Sequence, residues 1–441
     1  MRNKSWLKKG LVLGIIMLFV GTSIGSAINA LSLNGSQSLK RGNWLYVGGD
    51  DLGNYSTIQD AINHASTGDT VFVYHDSSPY LENLMVNKSI NLIGEEPTTT
   101  IIDGNYLGRT INLSADGVQI SGFTIQHGAL GSEDGGLYMN SNNSLISHVI
   151  ITNNSMSGLY LVRSSSNQIL DCEFSHNYYS INIWGYSSDN VISQCSFHDG
   201  GSVIIWYYSP HTMITSCDFN GSGGISISDE NSVVTDCRFL NNDMGLTLTG
   251  GFNTVTDCSA SNNRIGFTSF GEGNHFTRCI ADKNHDCGMY SWGNSYSIFE
   301  NCTIRNTTET GVFLWRVTYN IVKDCEITNS GESGVDIELN GWNTVTTNNI
   351  RNNTYGVLLV DTQQNNITNN NIMNSKEKDG FFLSYSKSHS INTWNENYWG
   401  RPRLLPKLIF GKKVSSEQLF PRWINIDWHP AKEPYDIPGM S

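Results

Sequence analysis

The chain has 441 residues, of which only 15% are charged, and its formal net charge is −13 at pH 7. So acidic a chain argues against binding to nucleic acid or to an anionic membrane surface, because both attract positively charged proteins. Glycine is abundant at 43 residues and apolar residues make up 38%, which favours a repetitive β-structure over disorder.

Residues 1–30 have the pattern of an export signal. A basic start between Arg2 and Lys9 precedes the apolar run Leu11–Val20, and small residues follow as far as Ala30. Cleavage after Ala27 or Ala30 would release the chain, whereas an uncleaved segment would anchor it in the membrane. Both alternatives predict a secreted or cell-surface protein. Residues 31–43 are predicted to be a flexible lead.

The folded part is predicted to begin with a short capping helix. Ser56–Ala65 carries Ile58, Ala61 and Ile62 at the spacing of one helical face, after a Ser or Thr that can cap the helix. From about residue 70 onward the chain is a run of short strands. A helix at this position would cover the open end of a stack of strands, so residues 44–390 are predicted to form one repeat domain.

A column of cysteines sets the period of that domain. The eight members are Cys172, Cys195, Cys217, Cys237, Cys258, Cys279, Cys302 and Cys325. Their gaps of 20 to 23 residues predict an all-β fold, a right-handed parallel β-helix with about 22 residues per coil. In-register side chains point the same way, which disfavours disulfides, so the column is predicted to hold free, buried thiols. Cys287 lies outside the column and is the first candidate for a reactive thiol.

The repeat also predicts which side chains point inward. Strand alternation places the column and the residue two positions after each cysteine inside, together with pairs that follow a glycine. Examples of the inward set are Leu159, Leu161, Phe174, Leu246, Leu248, Ile327, Val335 and Ile337. The column continues as Asn348 and Asn370, whose amides can form a ladder along the stack. Residues 391–441 break the period and are predicted to be an aromatic C-terminal cap and tail.

Segments near both ends resemble a known group. Near the start stand Tyr55-Ser-Thr-Ile-Gln-Asp-Ala-Ile, Gly68-Asp-Thr-Val-Phe-Val and Thr100-Ile-Ile-Asp-Gly, and near the end stands Trp423-Ile-Asn-Ile-Asp-Trp-His-Pro. This pattern resembles β-helix proteins of the NosD-like, carbohydrate-binding and sugar-hydrolase (CASH) type, and the tail resembles exported archaeal members. The resemblance implies a β-helix from residue 44 to 436. It leaves function open, because this group holds lyases, epimerases, adhesins and a copper-enzyme maturation factor.

Aromatic residues on the outward side of successive coils are the first candidates for a binding site. The candidates are Tyr160, Trp184, Trp206, Tyr207, Tyr290, Trp292 and Trp315. Rings on neighbouring coils would form a stripe, and aromatic faces stack on the apolar faces of sugar rings. The alternative is that these rings pack under loops, on one another or on a partner chain. The expected ligand is an extended neutral or basic polymer, and a cell-surface polysaccharide fits best.

Two carboxylates offer a catalytic alternative. Asp336 and Glu338 are two residues apart on one strand and are predicted to point outward, so they could serve a polysaccharide lyase, epimerase or hydrolase. Other carboxylates beside the column are interpreted as a ladder of mixed charge, since Arg238 follows Asp218 and Arg278 follows Asp257 one coil on.

No cofactor or metal site is predicted. Paired carboxylates could bind calcium, and the thiols could bind copper together with His148, His176, His198, His211 and Met213. These histidines do not fall in one column. A binding or scaffold module is therefore the favoured function, a polysaccharide-active enzyme is the alternative, and copper-enzyme maturation is the second alternative.

Overall fold

The computed structural model describes residues 42–131, 135–293, 295–385, 391–415 and 418–437, without the side chains of 413–415 and 418–423. The predicted export segment 1–30 and residues 31–41 of the lead lie outside these ranges. No helix in the described ranges is long and apolar enough to cross a membrane.

The described chain is wound into coils whose strands stack in parallel on three faces, which confirms the predicted parallel β-helix. We call these three stacks the first, second and third sheets, although the C-terminal hairpin joins the first two into one 32-stranded sheet beside the 14-stranded third. The first sheet contains Leu84–Val86, Ile111–Leu113, Gly135–Met139, Ser157–Val162, Tyr179–Trp184, Val203–Trp206, Ile225–Ile227, Met244–Leu248, Ile265–Ser269, Cys287–Trp292, Thr310–Trp315, Ser333–Glu338, Tyr355–Val360, Lys378–Ser384 and Lys407–Ser415.

The other two sheets consist mostly of three-residue strands. The second sheet contains Trp44–Val47, Thr70–Val73, Asn91–Gly94, Gln119–Ser121, Leu145–Ser147, Gln168–Leu170, Val191–Ser193, Met213–Thr215, Val233–Thr235, Thr254–Thr256, His275–Thr277, Ile298–Glu300, Ile321–Lys323, Thr344–Thr346, Asn366–Thr368, Thr393–Asn395 and Gln418–Asp427. The third sheet contains Tyr80–Leu81, Ile101–Asp103, Thr124–Gln126, Ile150–Thr152, Glu173–Ser175, Ser196–His198, Asp218–Asn220, Arg238–Leu240, Ser259–Ser261, Ile280–Asp282, Thr303–Arg305, Glu326–Thr328, Asn349–Arg351 and Asn371–Met373.

The core fills the space between the sheets with one layer of side chains per coil. All eight residues given above as examples of the inward set are fully buried, as predicted. Along the third sheet, Phe174, Phe197, Phe219 and Phe239 stack on one another with ring centroids 4.4–5.1 Å apart. Exact register between coils places identical residue types directly above each other, so each ring covers its neighbour.

The cysteine column lies at the bend between the second and third sheets. The residue before each cysteine adopts a positive φ, for example 56° at Asp257, and this left-handed residue turns the chain sharply. The Cys258 thiol donates weakly to the carbonyl oxygens of Thr256 (3.3 Å) and Val234 (3.6 Å). All nine cysteines are free and buried. The column therefore packs as a line of small side chains whose thiols point at backbone carbonyls.

Asparagine takes over this bend position near the C-terminal end. The Cys325 backbone N–H donates to the Asn348 Oδ1 atom (2.9 Å), and Asn348 and Asn370 repeat the contact toward Asn397. The last member is Asp427, whose Oδ2 atom accepts the Asn397 N–H at 3.0 Å. A side-chain oxygen thus satisfies the backbone N–H of the preceding coil at every step of this ladder.

Both ends of the described stack are covered. At the N-terminal end the helix Ile58–His64 begins after Thr57, whose hydroxyl accepts the Asp60 N–H at 3.2 Å. At the other end Lys407–Ser415 and Gln418–Asp427 form an antiparallel hairpin. Trp394 and Trp399 are buried beneath it, whereas Trp428 remains exposed. The helix corresponds to the predicted capping helix, and the hairpin with its two buried Trp rings corresponds to the predicted aromatic cap.

Candidate functional site

The outer face of the first sheet has the largest side chains. Its strands are long enough to present two outward positions, and the parallel register stacks equivalent positions one coil apart. The first outer row is Tyr138, Tyr160, Asn182, Ile204, Ser226, Thr247, Thr268, Tyr290, Phe313, Asp336, Leu358 and Phe381. The second outer row includes Val162, Trp184, Trp206, Trp292, Trp315, Glu338, Val360 and Leu383.

The predicted aromatic stripe is divided into separate groups. Tyr160 is only 7% exposed and packs edge-on against Tyr138, whose ring lies under the Arg109 guanidinium. The small polar residues Ser226, Thr247 and Thr268 occupy the first outer row between the two larger groups. Alternation predicted the outward direction of these rings, but the first outer row has no aromatic residue on the five coils between Tyr160 and Tyr290, so the stripe is interrupted.

The first aromatic group consists of Trp184, Tyr186, Trp206, Tyr207 and Tyr208. Trp184 stacks on Tyr207 at 5.0 Å with the planes 9° apart, and it meets Trp206 edge-on at 5.2 Å. The indole N–H of Trp206 donates to the Asn182 Oδ1 atom at 3.1 Å. Trp206 is 37% exposed, so this fixed ring presents apolar surface to solvent.

The second aromatic group consists of Phe270, Tyr290, Trp292, Phe313 and Trp315. Tyr290 stacks on Phe313 at 5.4 Å, and Trp292 stacks on Trp315 at 5.3 Å. These centroid distances are close to the spacing of about 4.8 Å between coils, so the rings lie face to face along the axis. Trp292 is 42% exposed. A stacked pair offers a ligand its ring edges and the two end faces.

A third set of rings lies at the turn between the first and second sheets and was not predicted. Tyr296, Tyr319 and Trp342 stack with centroids 5.3 and 6.1 Å apart, and all three are exposed. Each adopts a positive φ near 60°, outside any strand. Strand alternation does not reveal turn positions. The sequence nevertheless contains a signal for these rings, because each directly precedes the Asn or Ser that stands just before the next strand.

Next to the second aromatic group lies an acidic patch formed by Glu309, Glu332, Asp336 and Glu338. Asp336 follows Phe313 in the first outer row, and Glu338 follows Trp315 in the second. The predicted outward direction of Asp336 is therefore correct, yet the residue is only 5% exposed. Its Oδ2 atom lies 3.4 Å from the Ser333 hydroxyl, and its Oδ1 atom has no hydrogen-bond partner within the described structure.

Burial and like charges perturb the titration of this region. Burial, with repulsion from Glu338 and Glu332, raises the pKa of Asp336 well above its ordinary range. Burial also raises the pKa of Glu338, aided by Glu332 and Asp361. The same causes raise the pKa of the Cys287 thiol to about 12, so this thiol is protonated at neutral pH. The hypothesis that Cys287 is reactive is therefore disfavoured, because the thiolate is the nucleophile.

The acidic patch lacks the ion pairs that several other carboxylates on the solenoid form with Arg or Lys. Asp257 accepts two hydrogen bonds of 2.7 Å from Arg278, Asp218 pairs with Arg238, and Glu300 pairs with Lys323. The mixed-charge interpretation of the carboxylates beside the column is thus confirmed for both predicted pairs. Among the described residues, no Lys, Arg or His forms an ion pair with Glu332, Asp336 or Glu338.

Residues with metal-ligating side chains are mostly paired with other protein groups. His148 binds Asp171 at 3.0 Å, and His198 binds Glu173 at the same distance. In the described ranges, one set of three ligand atoms converges within 4.8 Å, namely His285, Asp286 and Glu309. Arg264 already pairs with Asp286 at 2.9 Å, so a positive charge occupies that position.

Comparisons with known proteins establish the family. A model described as a right-handed β-helix region matches residues 135–277 and 245–397, which together exceed half of the chain. The chain belongs to the right-handed β-helix family. The predicted handedness is thereby confirmed. No curated protein matches the chain.

Several solved structures resemble the chain at low sequence identity. The catalytic domain of an α-1,3-glucanase, solved with tetrasaccharides, is 10% identical at a TM-score of 0.50, covering 82% of this chain and 71% of its own. The A-module of a mannuronan C-5 epimerase from Azotobacter vinelandii is 13% identical at 0.37, covering 85% and 93%. A surface adhesin of Streptococcus pneumoniae is 13% identical at 0.39, covering 85% and 95%.

Proposed function

We propose that this protein binds an extended polysaccharide, outside the cytoplasm, on the outer face of its first sheet. The observation that carries the proposal is the second aromatic group, in which neighbouring coils hold partly exposed rings in fixed positions. Fixed aromatic rings give binding surface at low entropic cost, and the lateral face of a solenoid suits a long ligand. We also propose that the protein is of the NosD-like type and that it is exported.

The fold is compatible with such a ligand, since the similar glucanase was solved with tetrasaccharides. The two aromatic groups sit on one face, and Trp206 and Trp292 are four coils apart in the second outer row, about 19 Å at 4.8 Å per coil. A long polymer can contact both groups at once, and the second contact then raises the overall affinity without any new type of interaction. Short oligosaccharides reach one group at a time.

A glycan array with the full chain tests the proposal, followed by titration of the ligands found. Trp292→Ala and Trp206→Ala are each expected to weaken binding by about 10- to 100-fold, equivalent to about 1–3 kcal/mol for a lost aromatic contact. Trp428→Ala is the control, because Trp428 is also exposed but lies on the C-terminal segment. An array without any bound glycan, or equal losses in all three variants, would refute the proposal.

A specific observation also favours a second candidate, a glycoside hydrolase. Asp336 has the more strongly raised pKa of two carboxyls on one strand face, so a pH range exists in which it is protonated while Glu338 is ionised. Asp336 would then donate a proton to the glycosidic oxygen as the C–O bond breaks, while Glu338 takes a proton from the attacking water.

Release of new reducing ends from a bound glycan tests this second candidate. Glu338→Gln is expected to abolish product formation from an uncharged glycan and to leave the binding of that glycan within a few-fold of the original value. Product formation that persists in both Glu338→Gln and Asp336→Asn would exclude the pair as the catalytic groups.

A further inference from the structure

Ion pairs between adjacent coils recur along the solenoid and are missing in the acidic patch. Asp218 pairs with Arg238, and Glu326 pairs with Arg351. In the acidic patch one of the stacked pairs consists of two acids. Glu332 follows Glu309 one coil on, where its N–H donates to the Glu309 carbonyl at 2.9 Å. The described part of the chain therefore gives Glu332, Asp336 and Glu338 no ion-pair partner.

Asp336 shows that the missing partner has a physical cost. The residue is covered by Phe313 and Leu358 on the neighbouring strands, and its Oδ1 atom has no partner. A buried polar atom without a hydrogen bond costs about 1–3 kcal/mol, and a buried charge costs more. The chain retains this cost next to exposed aromatic rings, which is the expected location of a ligand-binding group.

The arrangement does not suit a preformed metal site. Calcium takes six to eight oxygen atoms at about 2.3–2.6 Å, which requires carboxylates that converge. Within the described residues, the ligand atoms of Glu332, Asp336 and Glu338 do not converge as a set of three within 4.8 Å, unlike those of His285, Asp286 and Glu309. Charges spread over two coils and across one strand instead suit a ligand that carries several separated positive groups.

We propose that the acidic patch is a subsite for the ammonium groups of an amino-sugar polymer, whose sugar rings contact the second aromatic group. The inference rests on the proposed polysaccharide-binding function and names the chemical class of the ligand. Carboxylates form strong charge-assisted hydrogen bonds with ammonium groups, and the adjacent Trp and Tyr rings attract the same cations through their faces. The net charge of −13 adds a long-range attraction for a polycation.

Proton linkage provides a signature of this contact. The pKa of Asp336 is raised by burial and by Glu338 and Glu332. Two coils earlier, Cys287 interacts with the charge of Asp336 and Tyr290 interacts with the charge of Glu338. Asp361, on the coil after Glu338, is one of the charges that raise the pKa of Glu338. A bound ammonium group favours the ionised carboxylates, so it lowers their pKa values and binding releases protons.

The decisive experiment compares glucosamine oligomers with N-acetylglucosamine oligomers of equal length, because acetylation removes the charge and keeps the sugar ring. Calorimetric titration of the full chain at pH 6 is expected to show at least 10-fold tighter binding of the amine form, with proton release. Glu338→Gln and Glu332→Gln are each expected to reduce this preference several-fold, and Asp336→Asn is expected to reduce the proton release. The matched control is Asp257→Asn, which removes a carboxylate on another face.

The outcomes separate this inference from the function on which it rests. Equal affinity for the two oligomers would overturn the ammonium subsite while polysaccharide binding stands. Loss of binding to every glycan would overturn both. Calcium binding that depends on Glu338, without any preference for the amine form, would identify a metal site and overturn the inference. Equally tight binding of lysine oligomers with the same charge would show that the patch selects charge and not amino sugars. That result would also overturn the inference.

Discussion

The inner bend column and the Glu309–Glu332 pair of the outer acidic patch both stack like residues one coil apart, but with opposite results. Inside, Asn348 and Asn370 repeat because each amide supplies a donor and an acceptor, so every member satisfies the next. Outside, Glu309 and Glu332 supply acceptors only, so repetition brings like charges together, and the nearby Asp336 keeps an unpartnered oxygen. Repetition therefore stabilises self-complementary groups, whereas like charges need a partner from elsewhere.

The largest expected effect concerns the inside. Phe219 is fully buried between the rings of Phe197 and Phe239, so Phe219→Ala removes two stacking contacts and leaves a cavity. We expect the free energy of unfolding to fall by about 3–5 kcal/mol. Denaturant titration followed by circular dichroism measures the change. A loss below 1 kcal/mol would mean that the core layer is not close-packed.

The next largest effect concerns the outside and depends on pH. A carboxyl with a raised pKa in the folded state is more protonated there than in the unfolded chain, so stability falls as pH rises from its ordinary pKa toward the folded value. Asp336→Asn removes the ionisation. We expect little change near pH 4 and a gain of about 1–3 kcal/mol at pH 8. The same gain at both pH values, measured by thermal unfolding, would show that ionisation is not the cause.

A smaller effect tests whether the two residue types of the column are interchangeable. Cys325→Asn should extend the asparagine ladder by one coil, since the Cys325 N–H already donates to Asn348. We expect a change within about 1 kcal/mol, whereas the control Cys325→Leu should cost about 1–3 kcal/mol through overpacking. Equal destabilisation by both substitutions, seen in denaturant titrations, would contradict the ladder.

The smallest effect concerns a satisfied outer pair. Arg278 and Asp257 are both largely exposed, and exposed pairs contribute about 0–1 kcal/mol. Arg278→Gln is expected to lower stability by less than 1 kcal/mol at low salt, and the difference should vanish in 1 M NaCl through screening. A large, salt-independent loss would show that the pair holds the bend itself.

The sequence was sufficient for the repeat and for the direction of most side chains, because the period near 22 residues and the alternation of strands are local patterns. Those two patterns correctly predicted the buried column, the inward residues such as Phe174 and the outward rings such as Trp292. They could not predict that Asp336 is covered, because coverage depends on Phe313 and Leu358 from other coils. They also missed Tyr319 and Trp342, since turns do not follow the alternation.

The thiols of the column have a practical consequence for studying how the solenoid opens. Each is inaccessible in the folded protein, and each belongs to a different coil, so alkylation requires the local opening of that coil. Repeat proteins open segment by segment because each unit contacts only its neighbours. Mass spectrometry of the labelled sites over time would therefore record a separate opening rate for each of eight successive coils, without any engineered probe.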